Sequence, residues 1–426
     1  MSLVGSVLEL EVGAPAHGGS CVARHDGRVV FVRHALPGER VIARVTEESK
    51  HFARADAIEI MAASEHRVVP LCVVAVPGGC GGCDWQHASG PFQRQIKAGV
   101  VAEQLKRLAG IERDVVVEEL PGDGFGWRTR VRFAVDTSGR AGFRRHRSHH
   151  VVATARCVIA HPLVEAAEVE ARQWEHVTEV EVAASVGSGE RLVRVASEHD
   201  GAMRTFETTA TTTTTDDGRT ATQARSGRAA LYEHAIGRRW RVSAGGFWQV
   251  HPNAADVLTE AVLSGLNPQA GDHALDLYAG VGLFAGALAM EVGTAGAVTA
   301  VESSAAAVAD AVVNLTDLAQ ARVLRGDVAH LLATPARFGA IDLVVLDPPR
   351  SGAGAAVVQR IAALGARAVA YVACDPAALA RDLATFATYG FELSDLRAFD
   401  LFPQTHHVEC VAIVRPVQAV DREAAS

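Results

Sequence analysis

The sequence predicts a mixed α/β chain with a small N-terminal β-barrel, a mainly β central domain and a C-terminal Rossmann-like domain with a doubly wound sheet. Its length of 426 residues corresponds to three domains at ~150 residues each. Hydrophobic residues make up 49% of the chain, which is enough to form conventional cores. From about Phe247 onward, short apolar strands alternate with alanine-rich helical stretches. We place the domains at 1–60, 61–240 and 241–426.

Residues 1–60 have the pattern of a small all-β module. Apolar or alternating runs extend over Val4 to Val12, Arg28 to Val32 and Arg40 to Val45. Gly18-Gly19 and Asp26-Gly27 mark turns between such runs. About five short strands in this length favour a barrel of the oligonucleotide-binding type, with an unrelated β-module as the alternative.

Residues 61–240 begin with a cysteine-bearing segment and continue into a predicted helix at 92–109. Gly110 fits the end of this helix, which we expect to pack on the C-terminal domain. Strand patterns follow from Val115 to about Trp240. Within them, residues 208–223 are polar and lack large apolar side chains, so we predict a flexible insertion without a functional role.

The composition excludes several classes of protein. A formal net charge of −8 rules out a uniformly basic nucleic-acid coat but leaves room for a local basic surface. No apolar run reaches the ~20 residues that span a bilayer. The N-terminus also lacks the charged and apolar regions of a secretion signal. We therefore expect a cytoplasmic protein without a membrane partner, and nothing in the sequence implies an obligate protein partner.

The C-terminal pattern predicts a mostly parallel sheet that binds ligands beyond the carboxyl ends of its strands. After the first strand, Gly280 and Gly282 allow the backbone to approach a ligand at the start of a helix. Residues 280–285 also fit the G-x-G-x-x-A dinucleotide pattern, and Glu302 lies near the position of a ribose-binding carboxylate. On this motif alone, NAD binding stays open.

Further strand ends carry reactive side chains. Two prolines fix an extended loop that can hold the Asp347 carboxylate and the Arg350 guanidinium over the ligand pocket. Cys374 follows the fifth strand and precedes a helix, whose dipole favours the thiolate form. Glu409 begins the last apolar strand and can direct its carboxylate toward Cys374.

Four motifs carry a family resemblance. They are Asp-x-Tyr-x-Gly-x-Gly from Asp276, Asp-Pro-Pro-Arg from Asp347, the run from Tyr371 to Asp382, and Phe-Pro-x-Thr-x-His-Val-Glu from Phe402. Together they resemble the class I RNA 5-methyluridine methyltransferases, and the ribosomal-RNA members are the closer match. The N-terminal module, particularly 26–32 and 36–39, resembles the TRAM domain of these enzymes.

The resemblance implies methylation of carbon 5 of uracil in RNA by S-adenosylmethionine (SAM), with 23S ribosomal RNA as substrate and transfer RNA as the alternative. Cys374 is then the nucleophile that adds to carbon 6 of the base, and Glu409 is the base that removes the proton from carbon 5. The cofactor-binding positions implied by the resemblance and by the glycine loop are Gln249, Tyr278, Gly280, Gly282, Leu283, Glu302, Asp327 and Asp347.

The seven cysteines are too few and too unevenly spaced for a secreted disulfide framework, so their clustering indicates metal binding or catalysis. Cys72, Cys80, Cys83 and Cys157 supply four thiols, for which zinc, an iron–sulfur cluster and free thiols are all open. The loop at 80–87 is similar to the cluster loop of the ribosomal-RNA relatives. This resemblance implies a [4Fe–4S] cluster with a structural or RNA-orienting role.

Arginines are concentrated between positions 128 and 156, where Asp136 is the only acidic residue. Such a patch binds RNA phosphates, although a solvated strand face is the alternative. The predicted RNA contacts are Arg128, Arg130, Arg132, Arg144, Arg145 and Arg350. Two other functions stay open. An NAD-dependent oxidoreductase would bind NAD instead of SAM, and a non-enzymatic RNA-binding assembly factor would need neither Cys374 nor Glu409.

Overall fold

The computed structural model describes residues 3–199, 201–209, 213–214, 220–221 and 230–417. The strands are β1 (Val7–Glu11), β2 (Pro15–Ala16), β3 (Ser20–His25), β4 (Arg28–Arg33), β5 (Arg40–Glu48), β6 (Phe52–Ala62), β7 (Val117–Glu118), β8 (Arg130–Val135), β9 (Ala141–Arg144), β10 (Val151–Ala153), β11 (Val177–Ala184), β12 (Arg191–Ser197), β13 (Met203–Thr209), β14 (Thr213–Thr214), β15 (Thr220–Ala221), β16 (Ala230–Ala235), β17 (Arg238–Ser243), β18 (His273–Leu277), β19 (Ala297–Glu302), β20 (Ala321–Arg325), β21 (Leu343–Leu346), β22 (Ala368–Ala373), β23 (Phe391–Phe399) and β24 (Glu409–Pro416). The α-helices are α1 (Gly90–Gln104), α2 (Pro162–Glu165), α3 (Ala254–Leu266), α4 (Leu283–Val292), α5 (Ala305–Asn314), α6 (Val328–Leu332), α7 (Ala355–Ala362) and α8 (Pro376–Thr388).

The N-terminal strands form one sheet in the order β1-β5-β6-β4-β3-β2. Alternating side chains point inward because successive residues of a strand face opposite sides. In β1, Leu8 and Leu10 are buried, and they join a core that includes Val30 and Val41. The small β-module predicted for this end of the chain is therefore confirmed.

Helix α1 joins the N-terminal core to the C-terminal one. Its first turns contribute Ile96 to the core of the N-terminal sheet, and its later turns contribute Val101 to the core of the C-terminal sheet. The helix continues as a π-helical turn, Leu105–Ala109, and Gly110 follows with a φ of 67°. A left-handed residue at this position ends a helix, and glycine adopts it without strain.

The central strands form an antiparallel sheet in the order β10-β9-β8-β11-β12-β13. The predicted flexible insertion at 208–223 falls largely outside the described residues. Its described parts are the end of β13 and the paired strands β14 and β15. The domain limits proposed from the sequence stay predictions.

The C-terminal sheet has the order β20-β19-β18-β21-β22-β24-β23-β7. Strands β18 to β22 are parallel to their neighbours within this group, whereas β24 pairs antiparallel to β22. Helices cover both faces, and each face has its own apolar core. This is the predicted doubly wound architecture, and its ligand edge lies where the strand order reverses beside β18. Among the described residues, no helix has the length and apolarity needed to cross a bilayer.

Candidate active site at the carboxyl edge of the sheet

The turn between β18 and α4 is held in an uncommon backbone conformation. Tyr278 has a φ of 63°, Gly280 of 54° and Gly282 of 91°. A positive φ is costly for tyrosine, and residues in this region cluster at functional sites. The turn is fixed by Asp276, a buried carboxylate that accepts a hydrogen bond from the Ala285 N–H at 2.8 Å. Burial raises the pKa of Asp276 to about 8.

A cavity of about 790 Å³ lies beside this turn. It is lined by the ends of strands β18, β19, β21 and β22 and by the start of β24, as the topology requires. The predicted site residues that line it are Arg128, Gln249, Tyr278, Gly280, Glu302, Asp347, Arg350, Cys374 and Glu409. The structure thus brings together side chains that are up to 281 positions apart, since 409 − 128 = 281.

Glu302 is fixed at this cavity by the backbone. Its Oε2 accepts a hydrogen bond from the Gly280 N–H at 3.0 Å, and its Oε1 accepts one from the Ser304 N–H at 2.7 Å. Oε1 also accepts a hydrogen bond from the Ser303 hydroxyl at 3.3 Å, so Oε2 is the oxygen that keeps a further lone pair for a donor such as a ribose hydroxyl.

Three predicted cofactor-binding residues do not line the cavity. Asp327 uses its Oδ1 to cap α6, where it accepts a hydrogen bond from the His330 N–H at 2.8 Å. Leu283 is buried in an apolar core, and a side chain at Gly282 would meet Leu315 at 3.1 Å. Gly282 and Leu283 belong to the turn but not to the cavity wall, and a role for any of the three in cofactor binding stays a prediction.

The sheet places Cys374 and Glu409 next to each other. Ala373 at the end of β22 pairs with Cys410 of β24, so the residue after one strand adjoins the residue that begins the other. Burial raises the pKa of Glu409 well above its ordinary value, and the charge of Asp347 raises it further. Burial also raises the pKa of Asp347, to about 7. The cavity therefore contains two carboxyl groups whose pKa values are raised by burial, which is common at functional sites.

The expectation that the helix dipole favours a Cys374 thiolate is wrong for the free protein. Burial raises the pKa of Cys374 to about 11, and the charges of Glu409 and Asp347 act in the same direction. The positive end of the α8 dipole already faces a carboxylate, because Asp375 caps the helix by accepting a hydrogen bond from the Ala378 N–H at 2.8 Å. At neutral pH the side chain is a thiol that must lose its proton before it can act as a nucleophile.

The four predicted metal-binding cysteines surround a second cavity of about 560 Å³. Burial, together with the nearby Cys157, Cys80 and Cys72, raises the pKa of Cys83 to about 12. Within the described ranges, no three His, Cys, Asp or Glu side chains are grouped closely enough to hold a single metal ion. Gly81, Gly82 and Arg128 line both this cavity and the catalytic one, so the two share a wall.

The predicted RNA-binding arginines differ in their exposure and in their ion pairs. Arg130 is wrong as an RNA contact, because its side chain is only 14% exposed and pairs with Glu233 at 2.7 Å. Arg132 and Arg144 stay exposed, but they form ion pairs with Glu181 at 2.7 Å and Glu179 at 2.9 Å, respectively. Both acids belong to β11, the neighbour of β8.

The other three arginines remain available at the cavities. Arg145 and Arg350 are exposed, and Arg145 lies beside the cysteine cavity. Arg128 lies in the wall that the two cavities share, where its Nε donates a hydrogen bond to the carbonyl of Arg130 at 3.1 Å. These three stay candidates for RNA contacts.

Sequence reasoning missed Asp84 and His406, which both line the catalytic cavity. Nδ1 of His406 lies 2.6 Å from Oδ2 of Asp84, and the His406 N–H donates to the same oxygen at 3.1 Å. Asp84 is part of the cysteine loop, and His406 precedes Glu409. The two residues are 322 positions apart, so no local pattern could relate them.

Comparisons with known proteins give the family. Residues 1–58 match the TRAM domain, and residues 237–416 match the family described as tRNA (Uracil-5-)-methyltransferase. An uncharacterised RNA methyltransferase of Streptomyces avermitilis is 49% identical, with 97% of this chain and 99% of the relative covered. The 23S rRNA (uracil(1939)-C(5))-methyltransferase RlmD of Shewanella piezotolerans is 31% identical, with 96% and 95% covered.

A solved structure shares the fold of nearly the whole chain. It is the Pyrococcus abyssi tRNA (uracil-54, C5)-methyltransferase in complex with S-adenosyl-L-homocysteine, with a TM-score of 0.69 at 21% identity. The match covers 96% of this chain and 100% of that one. The fold is that of a class I SAM-dependent methyltransferase with an N-terminal TRAM domain. The chain belongs to the RNA uracil-C5 methyltransferase family, which confirms the resemblance seen in the motifs and removes the NAD-dependent oxidoreductase alternative.

Proposed function

We propose that this protein methylates carbon 5 of a uridine in 23S ribosomal RNA, through a transient covalent bond between Cys374 and carbon 6 of the base. The observation that carries the proposal is the convergence of Cys374 and Glu409 on the cavity that also contains the glycine turn and Glu302. A nucleophile, a base and a nucleotide-type turn in one cavity match the requirements of this reaction.

The residues around the glycine turn fit SAM. Glu302 offers carboxylate oxygens to a ribose diol, and Gly280 leaves open space where a side chain would stand. When bound, SAM supplies an electrophilic methyl group to carbon 5. Gln249, Tyr278 and Asp347 complete the wall on which we expect it to bind.

Cys374 solves the main chemical problem, which is that carbon 5 of uracil is a poor nucleophile. Its proton first passes to the carboxylate of Asp347, which lines the same cavity, so that Glu409 stays free for the later proton from carbon 5. The thiolate then adds to carbon 6, and the electron pair of the 5,6 double bond makes carbon 5 nucleophilic toward the methyl group. The uracil must leave its stack to reach this cavity.

Glu409 completes the reaction. After methyl transfer it removes the remaining proton from carbon 5, the 5,6 double bond re-forms, and the Cys374 thiolate leaves carbon 6. A base works best when its pKa lies near the working pH, and burial together with the charge of Asp347 raises the pKa of Glu409 in that direction. Arg350 lowers the pKa of both Cys374 and Glu409, so it is suited to stabilising negative charge in the cavity.

Ribosomal RNA is the substrate we favour because the relatives named for a defined substrate at 31% identity act on 23S rRNA. The family description names tRNA, so a tRNA uridine is the alternative. Either substrate places the enzyme in the cytoplasm. An assay with unmodified 23S rRNA and tRNA transcripts separates the two.

The central experiment compares the wild type with Cys374→Ala in that assay, with 5-methyluridine measured by mass spectrometry of nucleosides. We expect the variant to lose activity roughly a thousandfold or more, while its SAM affinity by calorimetry stays nearly unchanged. Cys21→Ala is the matched control, because Cys21 is buried in the N-terminal sheet. Undiminished turnover by Cys374→Ala would contradict the covalent mechanism.

We also propose a [4Fe–4S] cluster on Cys72, Cys80, Cys83 and Cys157. The four thiols line one cavity, and four cysteine thiolates are the usual ligand set of such a cluster. The cluster would hold the loop at 80–87 against the catalytic cavity. Methyl transfer has no redox step, so the role is structural or RNA-orienting.

Metal analysis tests this assignment. We expect protein purified without oxygen to contain about four irons and four sulfides per chain, whereas a zinc site would give about one zinc. Cys157→Ala should lose the iron, and Cys21→Ala should retain it. Absence of both iron and zinc from the anaerobic wild type would show free thiols and overturn the proposal.

A further inference from the structure

The turn between β2 and β3 of the N-terminal sheet contacts the loop that carries Cys374. Nε2 of His17 lies 3.2 Å from Oδ2 of Asp375, the residue after Cys374. The other oxygen of Asp375 caps α8 through the Ala378 N–H at 2.8 Å. Burial acts to raise the pKa of Asp375, but the hydrogen bonds from His17 and Ala378 leave it below its ordinary value. The carboxylate of Asp375 is therefore held both by the N-terminal domain, through His17, and by the C-terminal domain, through Ala378.

The same turn packs against the loop that leads to Glu409. A methyl group added at Gly19 would lie 2.8 Å from Cγ of Asp84, so the backbone of the turn rests directly on this side chain. Asp84 in turn holds His406 through the 2.6 Å contact to Nδ1. The N–H groups of Asp84 and Trp85 both donate to the carbonyl of Gln404, at 2.9 and 3.0 Å. The loop at 404–406 is therefore fixed from the N-terminal side.

We propose that the turn at 17–19 is a positioning element of the active site, in which His17 orients the Cys374 loop and Gly19 allows Asp84 to hold the Glu409 loop. The TRAM domain then contributes to the chemical step besides any contact it makes with RNA. This inference rests on the proposed function, and it names no group that touches the substrate. Its basis is that the two loops with the reacting groups are both held by one short turn of another domain.

His17→Ala tests the first contact. Loss of one positioning hydrogen bond should lower kcat roughly tenfold and leave the KM for RNA and the thermal midpoint nearly unchanged. Gln can place an amide donor near the position of Nε2, so we expect His17→Gln to restore most of kcat. His25→Ala is the matched control, because His25 lies on the same sheet and, among the carboxylates that the structure describes, pairs with the exposed Asp26 at 3.5 Å.

Gly19→Ala and Gly18→Ala form a matched pair for the second contact. Both glycines have a positive φ, of 83° and 97°, but a methyl group at Gly18 meets nothing within 4 Å. Both substitutions place a side chain at a positive φ, but only the one at Gly19 meets Asp84. We expect Gly19→Ala to lower kcat well below that of Gly18→Ala at an equal KM for RNA.

A readout without RNA separates this inference from the proposed function. The rate at which iodoacetamide alkylates Cys374, followed by mass spectrometry, reports on its loop even if the wild type shows no methylation. We expect His17→Ala to change this rate several-fold, and His25→Ala to leave it unchanged. Equal alkylation rates in all three proteins, an unchanged kcat in His17→Ala, or an effect confined to the KM for RNA would each overturn the inference.

Discussion

At the scale of single residues, Asp347 and Glu409 control the protons of the active site. Burial and the charge of Asp347 raise the pKa of Glu409, and burial raises that of Asp347 to about 7. A carboxyl group with a raised pKa is ionised only above that value, so the basic form of Asp347 is lost as the pH falls below about 7, and Glu409 is protonated at a higher pH than an ordinary glutamate. Catalysis by Glu409 should therefore decline on the acid side.

Replacing Glu409 by Gln keeps the shape of the side chain and removes its ability to accept a proton. The thiol addition and methyl transfer can still occur, but the proton at carbon 5 stays, so elimination of Cys374 is blocked. We expect a covalent complex of protein and methylated RNA that survives on a denaturing gel. Double substitution with Cys374→Ala should abolish the complex. If Glu409→Gln turns over without an adduct, another group is the base.

At the scale of elements, the pairing of β8 with β11 reduces the number of arginines in the segment 128–156 that are available to bind RNA. Arg132 lies opposite Glu181 in the register, and Glu179 on the same strand reaches Arg144 of β9. These are exposed pairs, which contribute little to stability but lower the positive potential of the sheet surface. The local basic surface is therefore narrower than the sequence suggests, and it is concentrated near the cavities.

Glu179→Gln should release Arg144 and partly release Arg132 for phosphate contacts. We expect affinity for a non-specific RNA oligonucleotide to rise about two- to threefold at low salt, and the gain to shrink as salt screens the charges. Glu198→Gln is the control, because it removes the same charge next to His176 instead of an arginine. Equal effects of the two substitutions in a binding titration would show that only net charge matters.

At the scale of the whole molecule, α1 ties the domains together through a buried ion pair. Nζ of Lys97 lies 2.5 Å from Oδ1 of Asp400, and both side chains are almost completely buried. Lys97 also donates to the carbonyl of Phe402 at 3.1 Å, so the contact reaches the loop before Glu409. A buried pair of this kind is costly to break from one side, since the remaining charge has no partner.

Lys97→Ala should lower the free energy of unfolding by about 3–5 kcal/mol, measured by chemical denaturation. Lys106→Ala is the matched control on the same helical segment, because its pair with Glu112 is exposed, and it should cost no more than about 1 kcal/mol. Substituting Lys97 and Asp400 together by apolar residues should recover part of the loss. A small effect of Lys97→Ala would show that the pair does not hold the domains.

The sequence alone was sufficient for the fold class and for the reactive residues of the catalytic cavity. Alternation of strands and helices, the glycines after β18 and the prolines after β21 act through local backbone preferences, so a linear pattern reveals them. The sheet then brings Asp347, Cys374 and Glu409 to one edge, because the parallel strands β21 and β22 end there and the antiparallel strand β24 begins there. Family resemblance supplied their chemical roles.

Other properties depend on residues that meet only in the folded chain. Arg130 is largely buried in an ion pair with Glu233 and is therefore not available to RNA. Asp84 contacts His406, which lies 322 positions away in the sequence. The Cys374 thiol has a high pKa because burial and two carboxylates outweigh a helix dipole that Asp375 already caps. The sequence by itself determined which elements form and which reactive groups lie at the ligand edge, since both follow from local preferences. Only the tertiary structure decided the charge and hydrogen bonding of those groups, because desolvation and long-range contacts set them.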